Sequence, residues 1–298
     1  RHGSPLVLGQ GIMENFFASD PLALLAVTNQ FIYLHDGDIA DMTCDTTDIY
    51  AENMERVQRN VKKLELSFDA ADRGEYRHYM RKEIFEQPQA IAANLEGRIN
   101  KNSVLDSAFG LQAKELFQRV EHVQLAACGT SYHAAMVARY WLEDLAGIPC
   151  SVEVASEFRY RKNVVPKNCL FVTLSQSGET ADTLAALRLA KKTGFLSSLS
   201  ICNVPESSLV RESDFHFMTR AGTEIGVAST KAFTTQLTSL LLLTLSLGRL
   251  KHISATTEAH LIHEMHKLSK TMSAVLQLNQ TIALLAEKFV DKNHALFL

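Results

Sequence analysis

Cys169-Leu170-Phe171-Val172-Thr173-Leu174-Ser175-Gln176-Ser177-Gly178-Glu179-Thr180 runs from an apolar segment, through small hydroxyl residues, into a helical pattern over 181–192. A short apolar run followed by helical periodicity reads as a buried strand, a tight turn and a helix start. Such a turn gathers backbone N–H groups and hydroxyls where the helix dipole favours an anion. It lacks the Gly-Lys-Ser/Thr ending of the nucleotide-binding P-loop. Uncharged donors of this kind suit a compact phosphate monoester, such as that of a sugar phosphate. Ser and Thr also open helices for purely structural reasons, so a plain helix cap remains the competing reading.

The surrounding sequence repeats the pattern. Residues 123–127 read as a strand, Cys128-Gly129-Thr130-Ser131 as a second hydroxyl-bearing turn, and 132–145 as a helix closed by Gly147 and Pro149. Strands follow at 151–155, 170–174, 196–202 and, more weakly, 215–218. Alternation of strands and helices at these lengths predicts an α/β fold with a parallel sheet covered by helices on both faces. Ligands of such sheets bind at the carboxyl ends of the strands. Both turns then emerge at one edge, which favours a polyol phosphate. Cys128 offers a thiol without a base placed by the sequence, and a small buried thiol is the commoner state. A third loop, Gly222-Thr223-Glu224-Ile225-Gly226-Val227-Ala228-Ser229-Thr230-Lys231, opens the next helix. Glu224 and Lys231 fit an acid/base pair or an ordinary charge pair at a helix start, and the structural role is favoured for both.

Residues 1–66 read as β-rich, with strands over 5–9, 23–28 and 30–34 and a hairpin turn at His35-Asp36-Gly37-Asp38 leading into 39–43. The polar stretch 69–74 is the best linker. A charged helical segment starts at Tyr76 and is interrupted near Gln87-Pro88, where proline ends or restarts a helix. Residues 258–290 form a helix whose Leu261, Met265, Leu268, Met272 and Val275 make one apolar face. His260, His263 and His266 spread around that helix, and no metal is assigned. Residues 294–298 read as an apolar strand, and with Arg1 in place of an initiator Met the chain is read as a fragment.

A hydrophobic share of 46% beside 21% charged residues describes an ordinary globular protein. The formal charge of −3 gives no basic field, so neither nucleic acid nor an anionic membrane is indicated as a partner. The apolar stretch 237–247 contains Thr238, Ser239, Thr244 and Ser246 and is too short to span a bilayer. No signal peptide opens the chain. Cys44, Cys128, Cys150, Cys169 and Cys202 form no CxxC pair, which points to reduced thiols in the cytoplasm, without disulfides or zinc.

The three loops together resemble the motifs of the sugar isomerase domain. Ala155-Ser156-Glu157-Phe158-Arg159-Tyr160 and Tyr76-Arg77-His78-Tyr79-Met80-Arg81-Lys82-Glu83-Ile84-Phe85-Glu86-Gln87-Pro88 are similar to one family in particular. It is the isomerising glutamine–fructose-6-phosphate aminotransferases, also called glucosamine-6-phosphate synthases. Gly3-Ser4-Pro5-Leu6 and Glu14-Asn15-Phe16-Phe17-Ala18-Ser19-Asp20 resemble the end of that family's glutaminase domain, so the similarity covers essentially the whole chain.

The resemblance implies a three-layer sugar isomerase domain preceded by a β-rich remnant of an N-terminal-nucleophile glutaminase domain. The implied division is 1–66 glutaminase remnant, 67–76 linker, 77–290 first sugar isomerase domain and 291–298 the start of a second. The implied reaction of the parent converts fructose 6-phosphate and glutamine to glucosamine 6-phosphate and glutamate, in hexosamine biosynthesis. Ser131, Ser175, Gln176, Ser177 and Thr180 would hold the phosphate, and Cys128, Gly129, Thr130, Val227 and Ser229 would line the sugar pocket. His133 stands where the family pattern has a smaller polar residue. The family's amino-terminal cysteine nucleophile, its glutamine-binding residues and its Schiff-base lysine belong outside this sequence, so no catalytic residue, metal or cofactor is assigned to it. Lys231 belongs to the first domain's motif and is not that lysine. A cytoplasmic homodimer is implied, meeting glutamine only through the part not spanned. A sugar-phosphate sensor of the same fold is the alternative, and a simple aldose–ketose isomerase the third reading.

Overall fold

The structure, a computed structural model, describes residues 1–2, 5–63 and 73–296. The chain opens with seven short strands: β1 (Val7–Gln10), β2 (Asn15–Ala18), β3 (Gln30–Tyr33), β4 (Ile39–Met42), β5 (Thr47–Tyr50), β6 (Arg56–Val57) and β7 (Val61–Lys63). They form an antiparallel sheet in the order β2-β1-β3-β7 and a second sheet in the order β4-β5-β6. Leu8, Ile32, Leu34 and Ile49 make the small apolar core that the two sheets share.

Two readings of this region are corrected. Residues 23–28 are not a strand. Pro21–Leu24 is a 3₁₀ turn, and Val27 N and Thr28 N both donate to Leu24 O at 2.9 Å, so local bonds satisfy the backbone that a strand would pair. The turn at 35–38 does not close a hairpin either, because β3 and β4 lie in different sheets. Asp38 holds that bend, its buried carboxylate accepting from His35 N at 2.8 Å and from Arg59 Nε and Nη2 at 2.9 and 2.7 Å. Most of the linker at 67–76 lies outside the described residues, and Gly74 and Glu75 form a turn.

The larger unit starts with α1 (Tyr79–Leu95) and α2 (Ala113–Arg119). It then alternates β8 (His122–Ala127), α3 (Gly129–Asp144), β9 (Cys150–Val154), α4 (Ala155–Phe158), β10 (Cys169–Ser175), α5 (Ala181–Ala190), β11 (Ser197–Cys202), α6 (Ser208–Glu212) and β12 (Phe215–Met218). Helices α7 (Lys231–Gly248), α8 (Ala255–Leu276) and α9 (Asn279–Glu287) complete it. The five strands are all parallel, in the order β12-β11-β10-β8-β9.

Alternation along β10 builds three layers. Leu170, Val172 and Leu174 face a core shared with Ala134 and Ala138 of α3 and Leu240 and Leu243 of α7. Phe171 faces the other way, onto Phe158 of α4 and Leu184 and Leu187 of α5. Each buried Leu, Val or Phe among them contributes roughly 1.5–3 kcal/mol, so the sheet is held from both faces.

Pro88 does not interrupt α1, which runs unbroken through it. Proline has no N–H for the carbonyl four residues back, and here the Gln87 side chain supplies the donor, Nε2 reaching Ile84 O at 2.9 Å. The helix read over 258–290 breaks at Gln277 and Leu278, whose N–H groups tighten to the third carbonyl back, at 3.2 and 3.0 Å. His266 Nε2 lies 3.0 Å from Asn100 O. The strand expected at 294–298 is absent over 294–296, which pair with no strand among the described residues, and Phe297 and Leu298 lie outside the described residues. Among those residues no helix is long and apolar enough to cross a membrane.

Candidate functional site

The order of the strands decides where a ligand fits. From β8 the chain passes through α3 to β9 on one side, and the next strand, β10, returns on the other side of β8. The crevice between the carboxyl ends of β8 and β10 is therefore the switch point of the sheet, the place where open parallel sheets bind ligands. The two strands are in register up to Leu174 beside Ala127, so the turns at 128–131 and 175–180 leave the sheet side by side.

Neither turn spends its hydroxyls on its helix. Thr180 is the N-cap of α5 and Cys128 the N-cap of α3, and neither makes a side-chain cap bond. The first N–H groups of both helices are left without that acceptor, which is the arrangement that draws an anion. This argues against the plain-cap reading of Ser175–Thr180. Ser175 Oγ instead accepts from Gly178 N at 3.0 Å and lies 3.2 Å from Thr180 Oγ1. Ser177 Oγ accepts from Glu179 N at 3.2 Å. Gly178 takes φ +69°, and a Cβ there would lie 2.0 Å from Ser207 Oγ. Only glycine allows this close approach.

The loop is braced from behind. Gln176 O accepts from Asn203 N at 3.2 Å, Gly178 O from Leu209 N at 3.1 Å, and Glu179 Oε1 from Ser208 N at 2.7 Å. Cys202 lies against it, with Sγ 3.7 Å from Gln176 O, and burial pushes its thiol up. Asn203 also joins this loop to the third one, its Nδ2 donating to Gly222 O at 2.7 Å.

In the third loop Glu224 and Lys231 do not pair. Glu224 Oε1 accepts from Thr230 N and Ala232 N, both at 3.0 Å, and Oε2 from Ser229 Oγ at 3.1 Å, so the carboxylate caps α7. The structural role favoured for both residues describes their bonding, but with other partners. Lys231 Nζ, almost fully buried, donates to Glu86 Oε2 at 2.6 Å. Glu83 accepts from Ile225 N and Gly226 N at 2.6 and 2.9 Å.

The structure brings the turns bearing Cys128, Gly129, Thr130, Ser131, Ser175, Gln176, Ser177 and Thr180 to one sheet edge. Val227 is fully exposed, and the Ser229 hydroxyl is already tied to Glu224. His133 is exposed and carries its ring edgewise to Tyr132. A cleft of about 800 Å³ opens beside the turn at 175–180 and the third loop, lined by Gln176, Ser177, Asn203 and Glu224 and, from the β-rich unit, by Tyr33 and Lys62. Glu83, Glu86 and Gln236 were missed by motif reasoning. A lone amide among the Thr, Ser and Leu of α7 was the available signal for Gln236.

Comparison with known proteins agrees with this fold. Residues 116–246 match the SIS domain. The glutamine–fructose-6-phosphate aminotransferase of Vibrio cholerae is 57% identical over the whole of this chain, and that of Pseudomonas aeruginosa 58%. The chain belongs to the glutamine–fructose-6-phosphate aminotransferase family. It spans about half the length of these curated relatives, 49% in both cases. The solved C-terminal domain of the Francisella tularensis aminotransferase covers 75% of this chain, and the chain 63% of it, at 49% identity and TM-score 0.73. A phosphosugar isomerase of Silicibacter pomeroyi shares 25% identity over 67% of the chain and 57% of its own length, with TM-score 0.56. The residues matched to the SIS domain thus include the strand ends that hold the hydroxyl-rich turns at 128–131 and 175–180.

Proposed function

We propose that this chain supplies the fructose-6-phosphate site of an enzyme that converts fructose 6-phosphate and glutamine to glucosamine 6-phosphate and glutamate. Ser131, Ser175, Gln176, Ser177 and Thr180 hold the phosphate, while Cys128, Gly129, Thr130, Val227 and Ser229 line the sugar. The observation that carries the reading is the pair of helix starts, α3 and α5, uncapped by side chains and adjacent at the switch point. Two converging sets of N–H groups, with hydroxyls between them, match the oxygens of one phosphate monoester. Family membership supports the substrate.

On this reading residues 1–66 are the end of a glutaminase domain, 67–76 a linker, 77–290 the first sugar isomerase domain and 291–298 the start of a second. Glutamine is met only through the part of the relatives this chain does not span, and the whole enzyme works as a cytoplasmic homodimer. The chain itself binds the sugar phosphate and turns nothing over.

Calorimetric titration with fructose 6-phosphate against unphosphorylated fructose tests the phosphate site. Binding of the phosphate ester alone is expected, with Ser177→Ala and Thr180→Ala weakening it. Thiol labelling gives a second readout. Cys44 is exposed, whereas burial pushes the Cys150 and Cys169 thiols up to about 12, so half-buried Cys128 is the thiol that fructose 6-phosphate should shield. Equal response to both sugars sinks the reading, and glucosamine 6-phosphate formed by this chain alone sinks its last clause.

A further inference from the structure

Gln236 lies on α7, 1% exposed, in a helix whose neighbouring buried positions are largely Leu, Ala, Thr and Ser. Its Nε2 donates to Ser131 Oγ at 3.0 Å, and its Oε1 is buried with no hydrogen-bond partner among the described residues. A buried amide half left unpaired costs stability. An apolar side chain of the same size would avoid that cost, so the amide calls for an explanation outside the packing.

We infer that Gln236 is a positioning residue for the phosphate site, aiming the Ser131 hydroxyl at the ligand. This rests on the proposed function. A serine hydroxyl carries one proton and accepts through its lone pairs. With a Gln236 N–H filling the acceptor side from α7, the Ser131 proton is turned away from that helix and given to a phosphate oxygen. Ser131 sits in the first turn of α3, whose N-terminus has no side-chain cap. The hydroxyl and the helix N–H groups then act on the same anion, and a donor already oriented binds without first losing rotational freedom. The same amide links the start of α3 to α7, and so couples the phosphate turn to the helix that follows the third loop.

The test is a double-mutant cycle read by titration with fructose 6-phosphate. Ser131→Ala and Gln236→Leu should each weaken binding on the order of tenfold, the worth of one oriented hydrogen bond to a charged group. The double variant should bind no worse than Ser131→Ala alone, because Gln236 acts only through that hydroxyl. Losses that add in the double variant overturn the inference, since a general packing role would persist without Ser131. Gln236→Glu should bind more weakly than Gln236→Leu, because an ionised carboxylate takes the Ser131 proton and faces the phosphate charge. Affinity equal to that of the unaltered protein also overturns it. If Gln236→Leu fails to fold, Gln236→Met replaces it in the cycle. An unaltered protein that does not discriminate fructose 6-phosphate from fructose defeats the phosphate site itself. Discrimination with additive losses defeats only the role of Gln236.

Discussion

Lys231 Nζ donates to Glu86 Oε2 at 2.6 Å, tying the first residue of α7 to α1 inside the protein. Three carboxylates hold the loop before it. Glu83 takes the N–H groups of Ile225 and Gly226, Glu224 those of Thr230 and Ala232, and Glu86 the ammonium of Lys231. Val227 and Ser229 are thus carried on a loop pinned at both ends, which is how a fold keeps exposed backbone in one conformation for a ligand.

Removing one member of the ion pair should cost more than removing its charge at source. Glu86→Gln leaves the Lys231 ammonium, only 5% exposed, without its anion. Taking one partner from a buried pair costs about 3–5 kcal/mol. Glu86 is 33% exposed, so screening lowers that to about 2 kcal/mol. Lys231→Met keeps the apolar stem, deletes the charge, and should cost less than about 1 kcal/mol. Urea unfolding of both variants and the double variant checks this, the double being expected close to Lys231→Met. The reverse order would mean that the pair is not what holds α7.

Gly178 and Gly129 separate fold from ligand. Both have positive φ, +69° and +57°. At Gly178 a Cβ would also lie 2.0 Å from Ser207 Oγ and 2.6 Å from Cys202 Sγ, whereas at Gly129 it meets nothing within 4 Å. Gly178→Ala should cost about 3 kcal/mol, strain and overpacking together. Gly129→Ala should cost only about 1–2 kcal/mol. On the proposed function its methyl enters the sugar's space, so it should lower affinity for fructose 6-phosphate while leaving most of the stability. Matching melting temperatures for the two variants would refute the packing at Gly178, and unchanged affinity in Gly129→Ala would place the sugar elsewhere.

The parallel sheet was legible because its strands are continuous apolar runs ending in turn residues, as at 170–174. The turns were legible because Ser, Thr and Gly cluster there directly between a strand and a helix start. What failed depended on partners. Leu24 and Val27 suit a strand, and only the bonds to Leu24 O make 23–28 a turn. Pro88 predicts a break unless a neighbour replaces its missing donor, and Gln87 does. Glu83, Gln236 and Glu86 act on residues 142, 105 and 145 positions away, respectively, a separation that no local pattern records.

Acid should loosen the β-rich unit through Asp38. Its carboxyl is 1% exposed. Burial alone would raise it, but the two Arg59 hydrogen bonds and the one from His35 N outweigh that and hold it below the usual carboxylate range. A depressed folded pKa gives stability that is complete above the ordinary value, about 4, and is lost as pH falls through the lower folded value. His35 adds an earlier limb. Burial and then Arg59 lower its pKa, so from about pH 6.5 downward the unfolded chain takes up a proton that the folded one resists. Asp38→Asn should keep the His35 limb and lose the one below about pH 4, starting about 1–3 kcal/mol less stable at neutral pH. Urea unfolding followed by circular dichroism across the acid range separates the two limbs. Parallel curves for the variant and the unaltered protein below about pH 4 would show that the Arg59 bonds do not hold Asp38 ionised.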